Sequence, residues 1–141
     1  MYVLGIDLGS RTCHAALVGE DGRIAARATV AVNADLVGTA RRAADQIGSI
    51  ETPYVVSTGF GRYQVGFRDI AITDITSHAY GARALFPGAG CAIDIGAQNS
   101  RAMRFREDNW TSKLAMPTAR HLHDFVAYNG KIYAIGGTGP G

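Results

Sequence analysis

Residues 4–18 read LGIDLGSRTCHAALV, and residues 91–105 read CAIDIGAQNSRAMRF. The two stretches share one plan: an apolar run, an Asp, an apolar residue, a Gly, small or polar residues with a Ser or Thr, a basic residue and a second apolar run. Asp7 and Asp94 are the matching acids, 87 positions apart. A single Asp-x-Gly between strands is a common turn, so it is the second copy that favours a repeated structural lobe.

Length and composition limit the classes of protein to consider. A chain of 141 residues, 47% of them hydrophobic, can build one domain or a small domain plus a further piece. No apolar run reaches the roughly 18 residues of a membrane helix, and no charged-then-apolar leader stands at the start. We therefore expect a cytoplasmic protein with no membrane partner. A net charge of +2, with scattered basic residues, gives no support for nucleic-acid binding.

The two cysteines lie in apolar, strand-like runs and show no CxxC spacing. Such a pair forms neither a metal site nor a disulfide framework. We predict that Cys13 and Cys91 are both buried thiols.

The first part of the chain alternates between strand and helix patterns. The predicted strands are Tyr2–Asp7, Cys13–Gly19, Arg23–Val32, Tyr54–Gly61 and Ile70–Ile75, the fourth of which runs into a Gly-rich turn. Glu20–Gly22 is a hairpin turn signal, and Asp35 is a plausible N-cap for a helix ending at Gly48. A short element covers residues 62–67, and a helix over residues 76–86 ends at Pro87. The order β-β-β-α-β-α-β-α predicts an α/β fold with a mixed five-stranded sheet in which Tyr2–Asp7 is central.

After Pro87 the opening pattern restarts. A strand over 90–97, a return strand over 100–108 and a third run over 110–117 repeat the meander. Two β-like runs then flank Asn129-Gly130, a strong hairpin signal. We predict a first lobe over 1–87, the start of a second lobe over 88–118, and a C-terminal β-hairpin over 119–141.

An Asp at a strand end, followed by Gly and hydroxyl residues in the turn, suits phosphate binding. Gly allows successive backbone N–H groups to converge on one anion, and Ser10 and Thr12 add hydroxyl donors. The Asp7 carboxylate can hold Mg²⁺ through its waters. Two such hairpins facing each other would grip a polyphosphate, and positioning with charge stabilisation is most of phosphoryl-transfer catalysis.

Four ordered blocks over about residues 1–105 resemble one family: GIDLGSRTCHAALV, VVSTGFGRYQVGF, AITDITSHAYGARALFP and AIDIGAQNSRAMRF. The family is the BadF/BadG/BcrA/BcrD ATPases, which includes the activators of 2-hydroxyacyl-CoA dehydratases and the ATPase subunits of benzoyl-CoA reductases. It belongs to the acetate kinase/sugar kinase/Hsp70/actin superfamily. The resemblance implies ribonuclease-H-like lobes with ATP and Mg²⁺ between them, and a dehydratase or reductase partner.

The resemblance also implies two phosphate loops, one in each lobe. The residues expected at the cofactor are Asp7, Gly9, Ser10, Arg11, Thr12, Asp94, Gly96, Gln98 and Ser100, and Asp7 is also the expected metal ligand.

Several positions depart from the family pattern. His14 stands where Lys is usual, Asp74 where Glu is common, and Ala97 and Asn99 where the second loop has Gly and Asp. The stretch similar to Cys-Ala-Ala-Gly-Thr-Gly that follows the second loop in the family is absent, as is the adenosine-binding Gly-rich segment. We therefore expect no iron–sulfur cluster and a truncated, catalytically incomplete nucleotide-binding lobe.

From about residue 108 to 141 the chain resembles a kelch repeat. The matching features are Trp110, residues 116–120 (MPTAR), residues 128–133 (YNGKIY) and the Gly136-Gly137 pair. These would be the end of one repeat and the first hairpin of the next, which cannot make a propeller. Two alternatives to a nucleotide-binding lobe follow: an engineered or recombined chimera without activity, and an interaction module. In the second, an exposed edge of the second lobe or hairpin forms a homo-oligomer.

We predict negligible ATP turnover by this chain alone. In a site open to solvent, each charge contact contributes on the order of 1 kcal/mol, whereas enzymes lower barriers by about 8 kcal/mol or more. A phosphate-release assay across protein concentration tests this. Turnover near about 1 per second that is lost in Asp7→Ala would contradict it, and concentration-dependent turnover would point to a homodimer.

Overall fold

The chain divides into two compact units, Met1–Pro87 and Gly88–Gly141. The computed structural model describes residues 1–48, 53–95, 100–106, 109–112, 121–128 and 131–138. Within these ranges no helix has the length and apolar character needed to cross a membrane.

The first unit is built on one five-stranded mixed sheet. Its strands are β1 (Tyr2–Leu8), β2 (Thr12–Gly19), β3 (Ile24–Ala31), β4 (Tyr54–Thr58) and β5 (Ile70–Ala71). The spatial order is β3-β2-β1-β4-β5. The strands β1, β2 and β3 pair as an antiparallel meander, and β4 runs parallel to both β1 and β5. The predicted mixed sheet with a central first strand is confirmed.

Helix α1 (Leu36–Asp45) begins where the sequence predicts. The Asp35 side chain accepts a hydrogen bond of 2.8 Å from the Gly38 N–H, which satisfies one of the free amides of the first turn. The helix ends at Asp45, three residues before Gly48, because the Ile47 and Gly48 N–H groups donate to the carbonyls of Ala44 and Asp45, only three residues back, and Gly48 then adopts a left-handed φ of 95°.

One face of the sheet carries the hydrophobic core. Side chains alternate along a strand, and Leu4, Ile6 and Leu8 of β1 are buried beside Cys13, Ala15 and Leu17 of β2. Helix α1 packs on β1, β2 and β3 and contributes the buried Ala40 and Ala43. By the same alternation, Val3, Gly5 and Asp7 of β1 lie on the opposite face.

The predicted strand Ile70–Ile75 is wrong beyond its first two residues. The strand β5 stops at Ala71, and Asp74 already belongs to helix α2 (Asp74–Leu85). Thr73 is the N-cap of that helix, with its hydroxyl accepting from the Thr76 N–H. This local hydrogen bond overrides the β-prone composition of the stretch. Between β4 and β5, a single turn of 3₁₀ helix spans Arg62–Gln64.

The second unit contains two small antiparallel sheets. The strands β6 (Cys91–Ile95), β7 (Ser100–Arg106) and β8 (Asn109–Ser112) form a meander in that order. The strands β9 (His121–Tyr128) and β10 (Lys131–Thr138) form a hairpin. Asn129 and Gly130 lie outside the described residues.

The prediction that both cysteines are buried holds for Cys13 but not for Cys91. Cys13 lies under helix α1 with no exposed surface, whereas Cys91 is exposed at the start of β6. An apolar run does not reveal which of its alternating positions faces solvent. Burial, with a smaller contribution from the Asp7 carboxylate, raises the pKa of the Cys13 thiol to about 11; Arg42 acts weakly in the opposite direction.

We expect iodoacetamide at pH 8 to alkylate Cys91 quickly and Cys13 only after unfolding. At that pH about one Cys13 thiol in a thousand is ionised, and the thiolate is the reactive form. Mass spectrometry of the variants Cys13→Ala and Cys91→Ala reports each site separately. Equal labelling rates in the two folded variants would contradict this difference.

Candidate functional site

Four polar side chains lie in a row across the sheet face opposite the core. Asp7 on β1 is aligned with His14 on β2 and with Thr58 on β4, and His14 is aligned with Thr29 on β3. Residues aligned in this way stand side by side on one face. We call Thr29, His14, Asp7 and Thr58 the polar row.

The His14 ring connects the polar row to the β1–β2 turn. Its Nδ1 lies 3.0 Å from Thr29 Oγ1, and its Nε2 lies 3.1 Å from Thr12 Oγ1. Thr12 is one of the predicted phosphate-loop residues. Both ring nitrogens are thus engaged with hydroxyls, and His14 orients Thr12.

The β1–β2 turn is closed by its glycine and leaves two amides available. The Gly9 N–H donates to the Thr12 carbonyl at 3.1 Å, and a Cβ on Gly9 would lie only 2.8 Å from that oxygen. The sequence predicts that successive amides of this turn converge on an anion. The Gly9 N–H does not take part, because it is already bonded to the Thr12 carbonyl. Within the described residues, the N–H groups of Ser10 and Arg11 make no hydrogen bond.

The turn that follows β4 lies directly against the end of β1. The Gly61 N–H donates to the Leu8 carbonyl at 2.7 Å. Gly59 has a φ of 86°, and a Cβ there would collide with Asp7 Oδ1 and lie 2.7 Å from the Leu8 carbonyl oxygen. Only glycine combines this backbone conformation with this close approach.

Arg62 and Ser57 hold the same turn in place. The Arg62 Nη1 donates to the Gly59 carbonyl at 3.0 Å, and the buried Ser57 hydroxyl donates to the Arg62 carbonyl at 2.9 Å. The backbone beside Asp7 is therefore fixed by side-chain bonds as well as by the sheet.

Helix α2 brings an imidazole to the Asp7 carboxylate. His78 Nε2 lies 3.9 Å from Asp7 Oδ2, and the two side chains are 35% and 33% exposed. Asp74 lies one helical turn before His78 on the same face of α2. The Asp7 carboxylate thus has protein neighbours on both β4 and α2, and one-third of its side chain remains exposed to water.

These donors fit a hydrated magnesium phosphate better than a metal bound in a cage. Among the side chains that the structure describes, no group of three or more His, Cys, Asp or Glu is arranged to hold a metal ion. Mg²⁺ usually keeps several waters and takes one or two carboxylates together with substrate phosphates. A one-third-exposed carboxylate beside a turn with two available amides and two hydroxyls meets that requirement.

The β6–β7 hairpin repeats the pairing of the β1–β2 hairpin. Asp7 is aligned with His14 and Leu8 with Cys13; 87 positions later, Asp94 is aligned with Arg101 and Ile95 with Ser100. Four residues connect the last pair in each hairpin. The connection in the second hairpin, with the predicted site residues Gly96 and Gln98, lies outside the described residues.

The structure brings together part of the predicted set. Asp7, Gly9, Ser10, Arg11 and Thr12 lie at one corner of the first unit, while Asp94 and Ser100 lie in the second hairpin. Sequence reasoning missed that Thr58, Gly59 and His78 surround Asp7. The sequence carries one signal for Thr58 and Gly59: the strand that precedes them ends in Ser-Thr-Gly. The carboxyl ends of parallel strands meet at one edge of a sheet, so these residues would lie near the end of β1.

Comparisons with known proteins identify relatives of this chain. The model of the BadF/BadG/BcrA/BcrD ATPase family matches residues 4–119, which extends past the four sequence blocks into the stretch that resembles a kelch repeat. The activator of lactoyl-CoA dehydratase from Anaerotignum propionicum is 36% identical over 110 residues, which are 74% of this chain and 42% of that protein. The chain spans about half the length of the curated relatives it matches.

Two solved structures share the fold. Component A of the Acidaminococcus fermentans (R)-2-hydroxyglutaryl-CoA dehydratase has a TM-score of 0.71 at 25% identity, covering 80% of this chain and 47% of that one. The activator of the 2-hydroxyisocaproyl-CoA dehydratase from Clostridium difficile, solved with bound ADPNP, has a TM-score of 0.69 at 24% identity, covering 80% and 46%. The predicted α/β lobe of actin/Hsp70 type is confirmed.

Replacing Gly59 by Ala should destabilise the first unit more than replacing Gly22 by Ala. Gly22 also has a positive φ, 74°, but a Cβ there meets nothing within 4 Å. Gly22→Ala should cost about 1 kcal/mol from backbone strain alone. Gly59→Ala adds the clash with Asp7 and Leu8, for a total of about 3 kcal/mol or more. Urea unfolding measures both, and equal losses would contradict the close approach.

Proposed function

This chain belongs to the BadF/BadG/BcrA/BcrD ATPase family, and on that premise we propose that its first unit binds the phosphates of ATP together with Mg²⁺ at Asp7 and the turn Gly9–Thr12. The observation that carries the proposal is the partly exposed Asp7 carboxylate beside a turn whose Ser10 and Arg11 amides are available.

Each group has a distinct task in this proposal. Four groups of the turn donate hydrogen bonds to phosphate oxygens: the amides of Ser10 and Arg11 and the hydroxyls of Ser10 and Thr12. Their positive dipole ends then converge on one anion. His14 holds Thr12 through a 3.1 Å hydrogen bond. Asp7 would hold Mg²⁺, directly or through its waters, and the bound ion would neutralise phosphate charge.

The second hairpin is proposed as the other phosphate loop. Its support is the repeated register, in which Asp94 occupies the position of Asp7 and Ser100 that of Cys13. Nucleotide as the ligand is supported by the ADPNP bound to the Clostridium difficile activator. Gly96, Gln98 and Ser100 remain proposed contacts of the same kind.

The relatives suggest the partner. Those with assigned roles are activators of 2-hydroxyacyl-CoA dehydratases, so we propose a dehydratase component, or a related reductase, as the protein that this chain serves. Homo-oligomerisation through a strand edge of the second unit stays a prediction, as does the kelch-like interpretation of residues 108–141. The molecular mass of the protein in solution, measured across protein concentration, tests the predicted homo-oligomer.

Isothermal titration with Mg²⁺ and ATP tests the proposed site. We expect binding by the wild type and a loss of affinity of about a hundredfold in Asp7→Ala, the size of a lost charge-assisted interaction of about 3 kcal/mol. Asp45→Ala is the matched control, because this exposed acid at the end of α1 belongs to no part of the site.

The outcomes separate the proposal from its alternatives. Wild-type affinity in Asp7→Ala would remove Asp7 from the site. No binding by the wild type would favour a folded chimera without activity.

A further inference from the structure

Thr58 carries a hydroxyl that the described fold does not use. The residue is 8% exposed, and its Oγ1 is shielded from solvent with no hydrogen-bond partner among the described residues. An unpaired buried hydroxyl is unfavourable, whereas an apolar group of the same shape at the same place is not. In this state of the protein the hydroxyl therefore adds nothing to stability.

The position of Thr58 suggests where the hydroxyl is used. Thr58 is aligned with Asp7 on the neighbouring parallel strand, on the same face of the sheet. Adjacent strands lie roughly 4.8 Å apart, so the two side chains are direct neighbours. Gly59, the next residue, is the one whose missing Cβ makes room for Asp7 Oδ1.

We propose that Thr58 is a positioning residue for the metal-binding carboxylate: in the Mg²⁺-loaded protein its hydroxyl donates a hydrogen bond to Asp7. This inference rests on the proposed function. Carboxylates at metal sites are commonly oriented by a hydrogen bond from a neighbouring group, and loss of such a group typically lowers metal affinity by about 10–100-fold. A hydroxyl kept unpaired beside the carboxylate is available for that bond.

The adjacent Ser57 provides the contrast. Its hydroxyl is also buried but is already bonded, donating to the Arg62 carbonyl at 2.9 Å. Ser57 points to the core face and Thr58 to the site face, because side chains alternate along β4. Ser57→Ala should therefore lower stability, while Thr58→Val should not.

The test measures unfolding in urea without ligand and ATP affinity with and without Mg²⁺. For Thr58→Val we expect unchanged or higher stability, a 10–100-fold loss of Mg²⁺-dependent ATP affinity, and no change in affinity for ATP alone. Thr58→Ser, which keeps the hydroxyl, should bind Mg²⁺ and ATP as the wild type does. In the Asp7→Ala background, Thr58→Val should cause no further loss, because the hydroxyl acts through the carboxylate.

Three results would overturn the role of Thr58. They are wild-type Mg²⁺-dependent affinity in Thr58→Val, a loss of stability in that variant comparable to Ser57→Ala, and an equal loss of affinity for ATP alone. Failure of the wild type to bind Mg²⁺ and ATP would instead overturn the proposed function, and the role of Thr58 with it.

Discussion

The hydrogen bond from the Gly61 N–H to the Leu8 carbonyl, 2.7 Å long, joins the carboxyl end of β1 to the turn after β4. It forms because Gly59 turns the chain with a φ of 86° and Gly61 has no side chain to strike Leu8. The parallel pairing of β1 with β4 ends next to this contact, and its last aligned pair is Asp7 and Thr58. The backbone beside Asp7 thus depends on Gly59 and Gly61, because a side chain at either position would clash with β1.

The same strand serves the core and the site through simple alternation. Leu4, Ile6 and Leu8 face helix α1 and are buried, which leaves Asp7 on the other face. A one-residue slip of β1 would move Asp7 into the core and three apolar side chains out of it. Hydrophobic burial therefore fixes the register, and the register aligns Asp7 with His14 and Thr58. The precision of the polar row follows from packing on the opposite side of the sheet.

Local patterns in the sequence were sufficient for much of the fold. The glycine-containing hairpins, the Asp35 cap and the doubled Asp–Gly motif are signals carried by a few neighbouring residues, and the structure contains each of these elements. The start of α2 was missed because the Thr73 cap competes with a β-prone composition. Thr58 and His78 were missed as neighbours of Asp7 because 51 and 71 positions separate them from it along the chain. Only the parallel pairing and the packing of α2 bring them together.

The β1–β2 and β6–β7 hairpins have the same register, but different residues lie opposite their Asp. In the first, the residue aligned with Asp7 is His14, whose ring nitrogens already lie within hydrogen-bond distance of Thr12 and Thr29. In the second, the residue aligned with Asp94 is Arg101, which is always charged. An opposite charge directly across an antiparallel pair attracts the carboxylate and offsets part of its charge. Asp7 faces no arginine across its own strand pair; its charged-group neighbour is the His78 imidazole of α2, at 3.9 Å, and the neighbouring Thr58 hydroxyl has no bonded partner among the described residues. Under the proposed function, a hairpin without an arginine opposite its Asp would suit Mg²⁺, and a hairpin with one would suit phosphate.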